Sequence, residues 1–223
     1  MRKVLSAIIL SLLLIGMLTS AFNLQSVKAA AATVYIRADG SVYPSTAPVQ
    51  RDGNTYTLTD NITTSTDGIW IERNNVILDG AGYTVQGTGT TSGSSGVYLR
   101  RRNNVTIANI KISQFSSGIM LDESSGNTIS GSTSTANYDY GVWFLTSSNN
   151  NIKNNTITNN YVGFYMYSSS NNSIAENQIA TGINGLMIIY SSYNTLVENS
   201  ITGNSASGIW LWSAKYNSIS GNY

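Results

Sequence analysis

Two acidic residues, Glu176 and Glu198, form the pair in this sequence whose type and spacing could perform hydrolysis. They stand 22 residues apart, and each follows a repeated isoleucine or leucine by two positions. In adjacent turns of a repeating structure they would lie about 5 Å apart, the carboxyl separation of retaining glycosidases, and paired carboxylates also suit Ca²⁺. The alternative is two solvated glutamates that splay apart. We favour that alternative because a polar turn between Asn and Ser offers little burial.

A second group of residues has the chemistry of sugar binding. Two and four residues after each of the last four glycines in a regular series, the side chains are aromatic or apolar, so we expect them on one outer face. Flat rings can stack on the C–H faces of sugars, and an exposed apolar field of this kind marks a binding surface. The residues expected to bind a ligand are Trp143, Tyr165, Tyr167, Trp210 and Trp212.

Two other interpretations of this apolar field remain open at the level of sequence. It could pack on a second copy of the chain or on a further domain of a longer protein, or a long loop could cover it. In the earlier repeats the positions four and five after the glycine are charged, and we expect those charges to form exposed pairs between neighbouring coils. The charged residues are Glu72, Arg100 and Asp122 in one column and Arg73, Arg101 and Glu123 beside it.

Composition excludes several classes of function. The chain contains neither His nor Cys, which rules out imidazole metal sites, histidine acid–base chemistry and disulfide bonds. Three of the 12 basic residues lie in an N-terminal leader, which leaves 9 basic against 11 acidic residues and a net charge of about −2. Nucleic-acid binding is therefore not expected, because it needs a basic face.

The leader has the layout of a secretory signal peptide. Arg2 and Lys3 precede an apolar stretch at 4–18, and small residues follow at 29–31. We assign residues 1–30 to a signal peptide, the alternative being an uncleaved membrane anchor, for which the stretch is short. The protein is therefore expected to be secreted or to lie at the cell surface.

A repeat of 22–23 residues indicates which structural elements position the acidic pair and the aromatic residues. Each repeat begins with a glycine and two inward-facing apolar residues, and it continues with a polar run and an Asn-x-Ile sequence. A period near 22 with strand-like content indicates stacked coils that bury their apolar faces against their neighbours. The glycines, separated by one interval of 28 and then by 22 or 23 residues, are Gly68, Gly96, Gly118, Gly141, Gly163, Gly185 and Gly208.

We therefore predict an all-β parallel β-helix of about seven coils over residues 68–223, with two short strands per coil and almost no α-helix. Residues 31–67 should form an N-terminal cap and an irregular first coil, and a loop at 87–95 should project from one corner. The recurring Asn residues are interpreted as turn chemistry. One inner column is expected to contain Leu78, Ile107, Ile129, Ile152, Ile174, Leu196 and Ile219.

The segment Leu78-Asp79-Gly80-Ala81-Gly82-Tyr83-Thr84-Val85, followed by Asn-x-Ile coils and Gly-Ile-x-Leu strands, resembles the repeats of NosD-like proteins. The resemblance covers residues 68–223. It implies a right-handed, single-stranded parallel β-helix of the carbohydrate-binding and sugar-hydrolase group. NosD itself is associated with copper delivery, but without His or Cys and with only scattered Met this chain lacks the ligands copper prefers. No copper, other metal or cofactor is expected.

The sequence as a whole favours an exported module that binds a glycan or another cell-surface component, without catalysis. The second interpretation is a structural or self-associating module of a larger surface protein. The third is a polysaccharide lyase or hydrolase. Because residues 219–223 begin a coil without completing it, we expect the C-terminus to be truncated, the alternative being that another chain covers this end. A truncated sequence would lack any C-terminal anchor or catalytic domain.

Overall fold

The structure, a computed structural model, describes residues 32–89 and 93–223, and its regular elements in those ranges are all β-strands. They wind into a right-handed parallel β-helix of about seven turns, as predicted. Within the described ranges no helix is long and apolar enough to cross a membrane. The predicted signal peptide at 1–30 lies outside the described residues.

Each regular coil contributes one strand to each of three parallel sheets. The broad sheet contains the longest strands: β1 (Val34–Ile36), β2 (Val42–Tyr43), β6 (Ile69–Ile71), β9 (Ser95–Arg100), β12 (Ser117–Asp122), β15 (Tyr140–Leu145), β18 (Val162–Tyr167), β21 (Asn184–Ile189) and β24 (Ser207–Trp212). The second sheet contains β3 (Val49–Asp52), β4 (Thr55–Leu58), β7 (Val76–Asp79), β10 (Val105–Ala108), β13 (Thr128–Ser130), β16 (Asn151–Lys153), β19 (Ser173–Ala175), β22 (Thr195–Val197) and β25 (Ser218–Ser220). The third sheet contains β5 (Ile62–Thr64), β8 (Thr84–Gly87), β11 (Lys111–Ser113), β14 (Thr133–Thr135), β17 (Thr156–Thr158), β20 (Gln178–Ala180) and β23 (Ser200–Thr202).

The expectation of two strands per coil was wrong. Many coils contain a second Asn-x-Ile sequence after a short turn, and this sequence forms a strand of its own in the third sheet. Residues 177–179 show this, because Gln178 and Ile179 lie in β20 and pair with β17 and β23. The coil is therefore triangular in section, with three corners rather than two.

The predicted inner column is present in the second sheet. Ile129, Ile152, Ile174 and Leu196 are direct partners in successive parallel strands, and each is at most 1% exposed. β-Branched side chains pack well on such a pleated surface. Burial of each side chain stabilises the fold by about 1.5–3 kcal/mol, alongside the equally buried inner residues of the other two sheets. The last member of the column, Ile219, pairs with Leu196 but is 43% exposed.

The interpretation of the recurring Asn residues as plain turn chemistry was wrong, because they form buried hydrogen-bonded ladders inside the corners. The Asn172 side-chain oxygen accepts bonds from the backbone N–H and the amide of Asn150, at 2.9 and 3.1 Å. Its own amide donates to Ser147 O and to the side-chain oxygen of Asn194. The first ladder consists of Asn127, Asn150, Asn172, Asn194 and Asn217, and the second of Asn155, Asn177, Asn199 and Asn222.

The glycine series lies where the chain enters the broad sheet and passes close to the next coil. A Cβ atom at Gly163 would be 2.6 Å from the carbonyl oxygen of Gly185 and 2.7 Å from the Ile179 side chain. Real Cβ atoms do not approach a backbone oxygen so closely, so the position requires glycine. The same close approach recurs at Gly118, Gly141 and Gly185.

The N-terminal segment forms the first coil and folds back over it. β1, β4 and β5 pair in parallel with β6, β7 and β8. β2 and β3 pair antiparallel with β1 and β4 and are the terminal strands of their sheets. Tyr56 is fully buried beneath this layer, and its hydroxyl donates to Gly40 O at 2.9 Å.

Replacement of Gly163 by Ala should destabilise the protein by about 1–3 kcal/mol, because the methyl group would overlap a backbone oxygen that cannot move aside. Gly208→Ala is the matched control, since a Cβ there meets its nearest atom at 3.5 Å, an ordinary contact. Thermal melts of the two variants should differ clearly. Equal melting temperatures would contradict the role assigned to the glycine series.

Removal of one ladder amide should be costly as well. In Asn172→Ala the buried N–H of Asn150 and the carbonyl of Ser147 lose their partners, and we expect a loss of about 2–4 kcal/mol. Ser173→Ala, on the half-buried outer side of β19, should change stability by less than about 0.5 kcal/mol. Urea titrations of both variants test this, and a similar small effect for both would show that the ladder contributes little.

Candidate functional site

The predicted ligand-binding residues lie together on the outer side of the broad sheet. Trp143 pairs with Tyr165 in the first column of rings, and Met187 with Trp210. Tyr167 and Trp212 lie in the second column, with Ile189 between them. We call Trp143, Tyr165, Tyr167, Trp210 and Trp212 the aromatic face.

The alternation from which this face was predicted holds in the described strands. On either side of Trp143, the side chains of Val142 and Phe144 are fully buried. Phe164 and Met166 are buried in the same way on either side of Tyr165. Since successive strand residues point to opposite sides of a sheet, the rings lie on the outer side.

The aromatic face is half-buried at one end. Trp143 and Tyr165 are packed against Tyr140, whose ring stacks on Tyr165 with centroids 4.7 Å apart and planes at 15°. Burial raises the pKa of the Tyr140 and Tyr165 hydroxyls. The Trp143 Nε1–H is buried and has no hydrogen-bond partner among the described residues. Rings fixed by mutual packing lose little entropy when a ligand binds to them.

The other end of the aromatic face is open. Trp210 is 37% exposed and Trp212 is 55% exposed, and their rings meet edge to face with centroids 5.9 Å apart. Tyr167, also 37% exposed, meets Tyr190 at 5.6 Å with the planes nearly perpendicular. This end presents both ring faces and ring edges to a ligand.

Three tyrosines at the adjacent corner extend the apolar surface and were missed in the sequence. Tyr190, Tyr193 and Tyr216 are 53%, 58% and 73% exposed, and the last two stack with centroids 5.0 Å apart. All three have positive φ, a conformation that is unusual for bulky residues. The available signal was that earlier coils place Asn149 and Asn171 where Tyr193 and Tyr216 stand. We call these three residues the corner tyrosines.

The early coils carry rings in the first outer column, where the ring centroids of Trp70 and Tyr98 lie 4.8 Å apart, but charged residues in the columns beside it. Arg100 lies 3.3 Å from Asp122, and Arg101 lies 2.9 Å from Glu123, so two of the predicted inter-coil pairs are confirmed. Arg73 instead donates to the Asn54 side chain. Hydrogen bonding to Arg101 lowers the pKa of Glu123, which keeps this exposed pair ionised.

Glu176 and Glu198 lie at one corner of successive coils, with φ of 56° and 54°. Both side chains are exposed, and neither forms a hydrogen bond or ion pair with another residue of the described ranges. The equivalent positions on either side are Asn154 and Gly221, so the two carboxyl groups have no further acid beside them. The two glutamates therefore lie on an exposed corner and are not enclosed by other side chains.

The donor groups of the chain do not suit copper. Met120 and Met187 share the outer column of the broad sheet, but Trp143 and Tyr165 stand between them, about 14 Å of stacked coils. Met166 is buried inside the helix. Within 32–89 and 93–223 there is no cluster of three or more His, Cys, Asp or Glu residues. Neither a soft-ligand copper site nor an acidic Ca²⁺ site is assembled.

Comparison with known proteins places this geometry among the β-helix families. The sequence model described as periplasmic copper-binding protein (NosD) matches residues 32–223. Among curated protein sequences, none matches the chain.

Three solved structures share the fold at low sequence identity. They are the enzymatically active domain of bacteriophage CBA120 tailspike protein 2 (TM-score 0.57, 12% identity), the A-module of Azotobacter vinelandii mannuronan C-5 epimerase AlgE4 (0.54, 15%) and the periplasmic alginate epimerase AlgG (0.51, 16%). They cover 74%, 73% and 74% of this chain, which in turn spans 34%, 54% and 49% of their lengths. At these identities the likeness concerns the fold alone.

The hydrogen bond between Tyr98 and Asp122 on the outer face of the early coils can be tested by titrating the Tyr98 hydroxyl. Burial, followed by the hydrogen bond from its hydroxyl to Asp122, raises the pKa of Tyr98 to about 12. A raised folded-state pKa gives a stability contribution that is present below pH 10 and lost as pH rises through 12. The free energy of unfolding should therefore fall between pH 10 and 12, and less steeply in Tyr98→Phe. Asp122→Asn should shift the latest step of the tyrosine absorbance titration to lower pH, whereas an unshifted step would contradict the assignment.

Proposed function

The chain belongs to the NosD family of β-helix proteins. We propose that it is an exported module that binds carbohydrate through its aromatic face, without catalysis. One observation carries the proposal. Rings from three of four successive coils lie in register on one outer face, with Met187 and Ile189 in the remaining coil, and the open end of that face is formed by Trp210 and Trp212.

The composition of the aromatic face suits a sugar ligand. Adjacent coils are spaced by about 4.8 Å along the helix axis, so Trp143 and Tyr165 are direct neighbours, and Met187 and Ile189 fill the coil between these rings and Trp210 and Trp212. The result is a continuous apolar surface with rings at both ends. Sugars present C–H faces to which aromatic rings offer large, rigid contact area. The corner tyrosines add three hydroxyl groups beside this row, which supply the polar contacts that orient a bound sugar.

The proposal extends to export and to a polysaccharide ligand, on separate grounds. The matched family is described as periplasmic, and the leader has the pattern of a signal peptide. The solved structures with this fold include enzymes named for mannuronan and alginate, both polysaccharides. The copper binding in the family description is not part of the proposal, because the donor groups do not suit copper.

A second candidate function is self-association through the same face. Its support is the exposure of Trp212 together with the corner tyrosines, a patch of the kind that also marks protein interfaces. A catalytic role for Glu176 and Glu198 is the third reading. It has less support because both carboxyl groups stand exposed at a corner away from the broad sheet.

The double variant Trp210→Ala, Trp212→Ala should bind polysaccharide about 5- to 150-fold more weakly than the wild type. Each lost ring contact is worth about 0.5–1.5 kcal/mol, so the pair accounts for about 1–3 kcal/mol. Retention on insoluble polysaccharides and quenching of tryptophan fluorescence by soluble ones are the measurements. Tyr83→Ala, which removes an exposed ring outside the broad sheet, is the matched control and should bind normally.

Sedimentation velocity separates the two candidate functions. If the aromatic face is a self-association surface, the wild type will be a dimer and the double variant a monomer, with no change on adding glycan. A monomeric wild type that binds no polysaccharide in a broad panel would contradict both.

A further inference from the structure

A groove of about 690 Å³ lies at the corner between the third sheet and the broad sheet, away from the aromatic face. Tyr138, Tyr161 and Ile183 form its long wall, one from each of three successive coils. The N–H of Tyr138 donates to Phe115 O, and that of Ile183 to Tyr161 O, which fixes these residues in the stack. The groove has the size of sites that hold small organic ligands.

The wall is exposed although its side chains are large and apolar. Tyr138 is 63%, Tyr161 57% and Ile183 38% exposed. These residues follow the corner, where the alternation of a strand no longer applies, so their outward direction could not be read from the repeat. Exposed large side chains at the same position of successive coils, two of them rings, are a feature that this wall shares with the aromatic face.

Polar side chains line the opposite rim. Gln114, Asn159 and Thr181 are stacked corner residues of the groove with φ of 63°, 57° and 59°. Thr181 is β-branched, so its left-handed backbone is strained. Its hydroxyl accepts a bond from the Asn159 N–H at 3.1 Å, which stabilises that backbone. The rim therefore offers amide and hydroxyl groups held on strained, well-defined backbone.

Thr88 and Gly89, directly after β8, line one end of the groove, and a Cβ on Gly89 would be 3.0 Å from the Tyr138 hydroxyl oxygen. Gly89 thus lies against the first ring of the wall. The groove is thus bordered on three sides, by the wall of Tyr138, Tyr161 and Ile183, by the polar rim and by Gly89, whereas the aromatic face is a flat sheet surface.

We propose that this corner groove is a second binding site, separate from the aromatic face, for a neutral carbohydrate. No Asp, Glu, Lys or Arg stands among the described residues that line the groove. An anionic sugar would therefore find no cation to replace its hydration, whereas a neutral sugar needs only ring faces and amide or hydroxyl partners. Tyr138 and Tyr161 supply the ring faces, and Gln114 and Asn159 supply the polar partners.

The test begins from Trp210→Ala, Trp212→Ala, in which the aromatic face is disabled and the groove intact. The probes are neutral oligosaccharides of glucose, mannose, galactose and xylose, with an oligouronate as the anionic comparison. Calorimetric titration should show a neutral oligosaccharide binding to this variant. Addition of Tyr138→Ala and Tyr161→Ala should weaken that binding at least tenfold, while Tyr138→Phe with Tyr161→Phe should largely retain it.

Three results would overturn the proposal: no neutral oligosaccharide binds the tryptophan variant, only the oligouronate binds, or the two alanine substitutions leave binding unchanged. Tyr83→Ala is the control for loss of an exposed ring, and thermal melts check that each variant is folded. The outcome is independent of the proposed function. Binding that depends on the tryptophans but not on Tyr138 and Tyr161 would support the aromatic face alone, and the reverse would support the groove alone.

Discussion

Amide side chains that hydrogen-bond along the helix axis hold each coil in register with the next. Asn150, Asn172 and Asn194 each accept from the coil before and donate to the coil after, inside a corner that water does not reach. A buried amide with four satisfied bonds tolerates no shift, because a slip would leave several polar groups unpaired. The alignment of every outer column, charged or aromatic, depends on this constraint.

The features that could be predicted from the sequence are those that depend on the 22–23-residue period and on alternation along a strand. The stack of Ile129, Ile152 and Ile174 and the outward rings of Trp143 and Tyr165 both follow from a fixed repeat and strict alternation along a strand. These features needed no knowledge of where the corners lie. The face could thus be placed, whereas what binds to it cannot be derived from a pattern of side chains alone.

What the sequence did not reveal lies at the corners. The third strand escaped notice because a three-residue strand such as β17 has the same composition as a polar turn. The ladder that contains Asn172 was not expected because Asn is also a common turn residue, and only the triangular section of the coil shows that its side chain points inward. Tyr138 and Tyr193 were missed since alternation stops at a corner, where backbone geometry decides the direction of a side chain.

The separation between bonded coils has a consequence for how the chain acquires its structure. Ladder partners such as Asn172 and Asn194 are 22 or 23 residues apart, so each coil of the regular repeats closes a loop of nearly the same modest length onto its predecessor. Contacts never span the whole chain, and each finished coil offers an open strand edge and a row of amides as a template. Folding can therefore start at any coil and advance by addition of its neighbours.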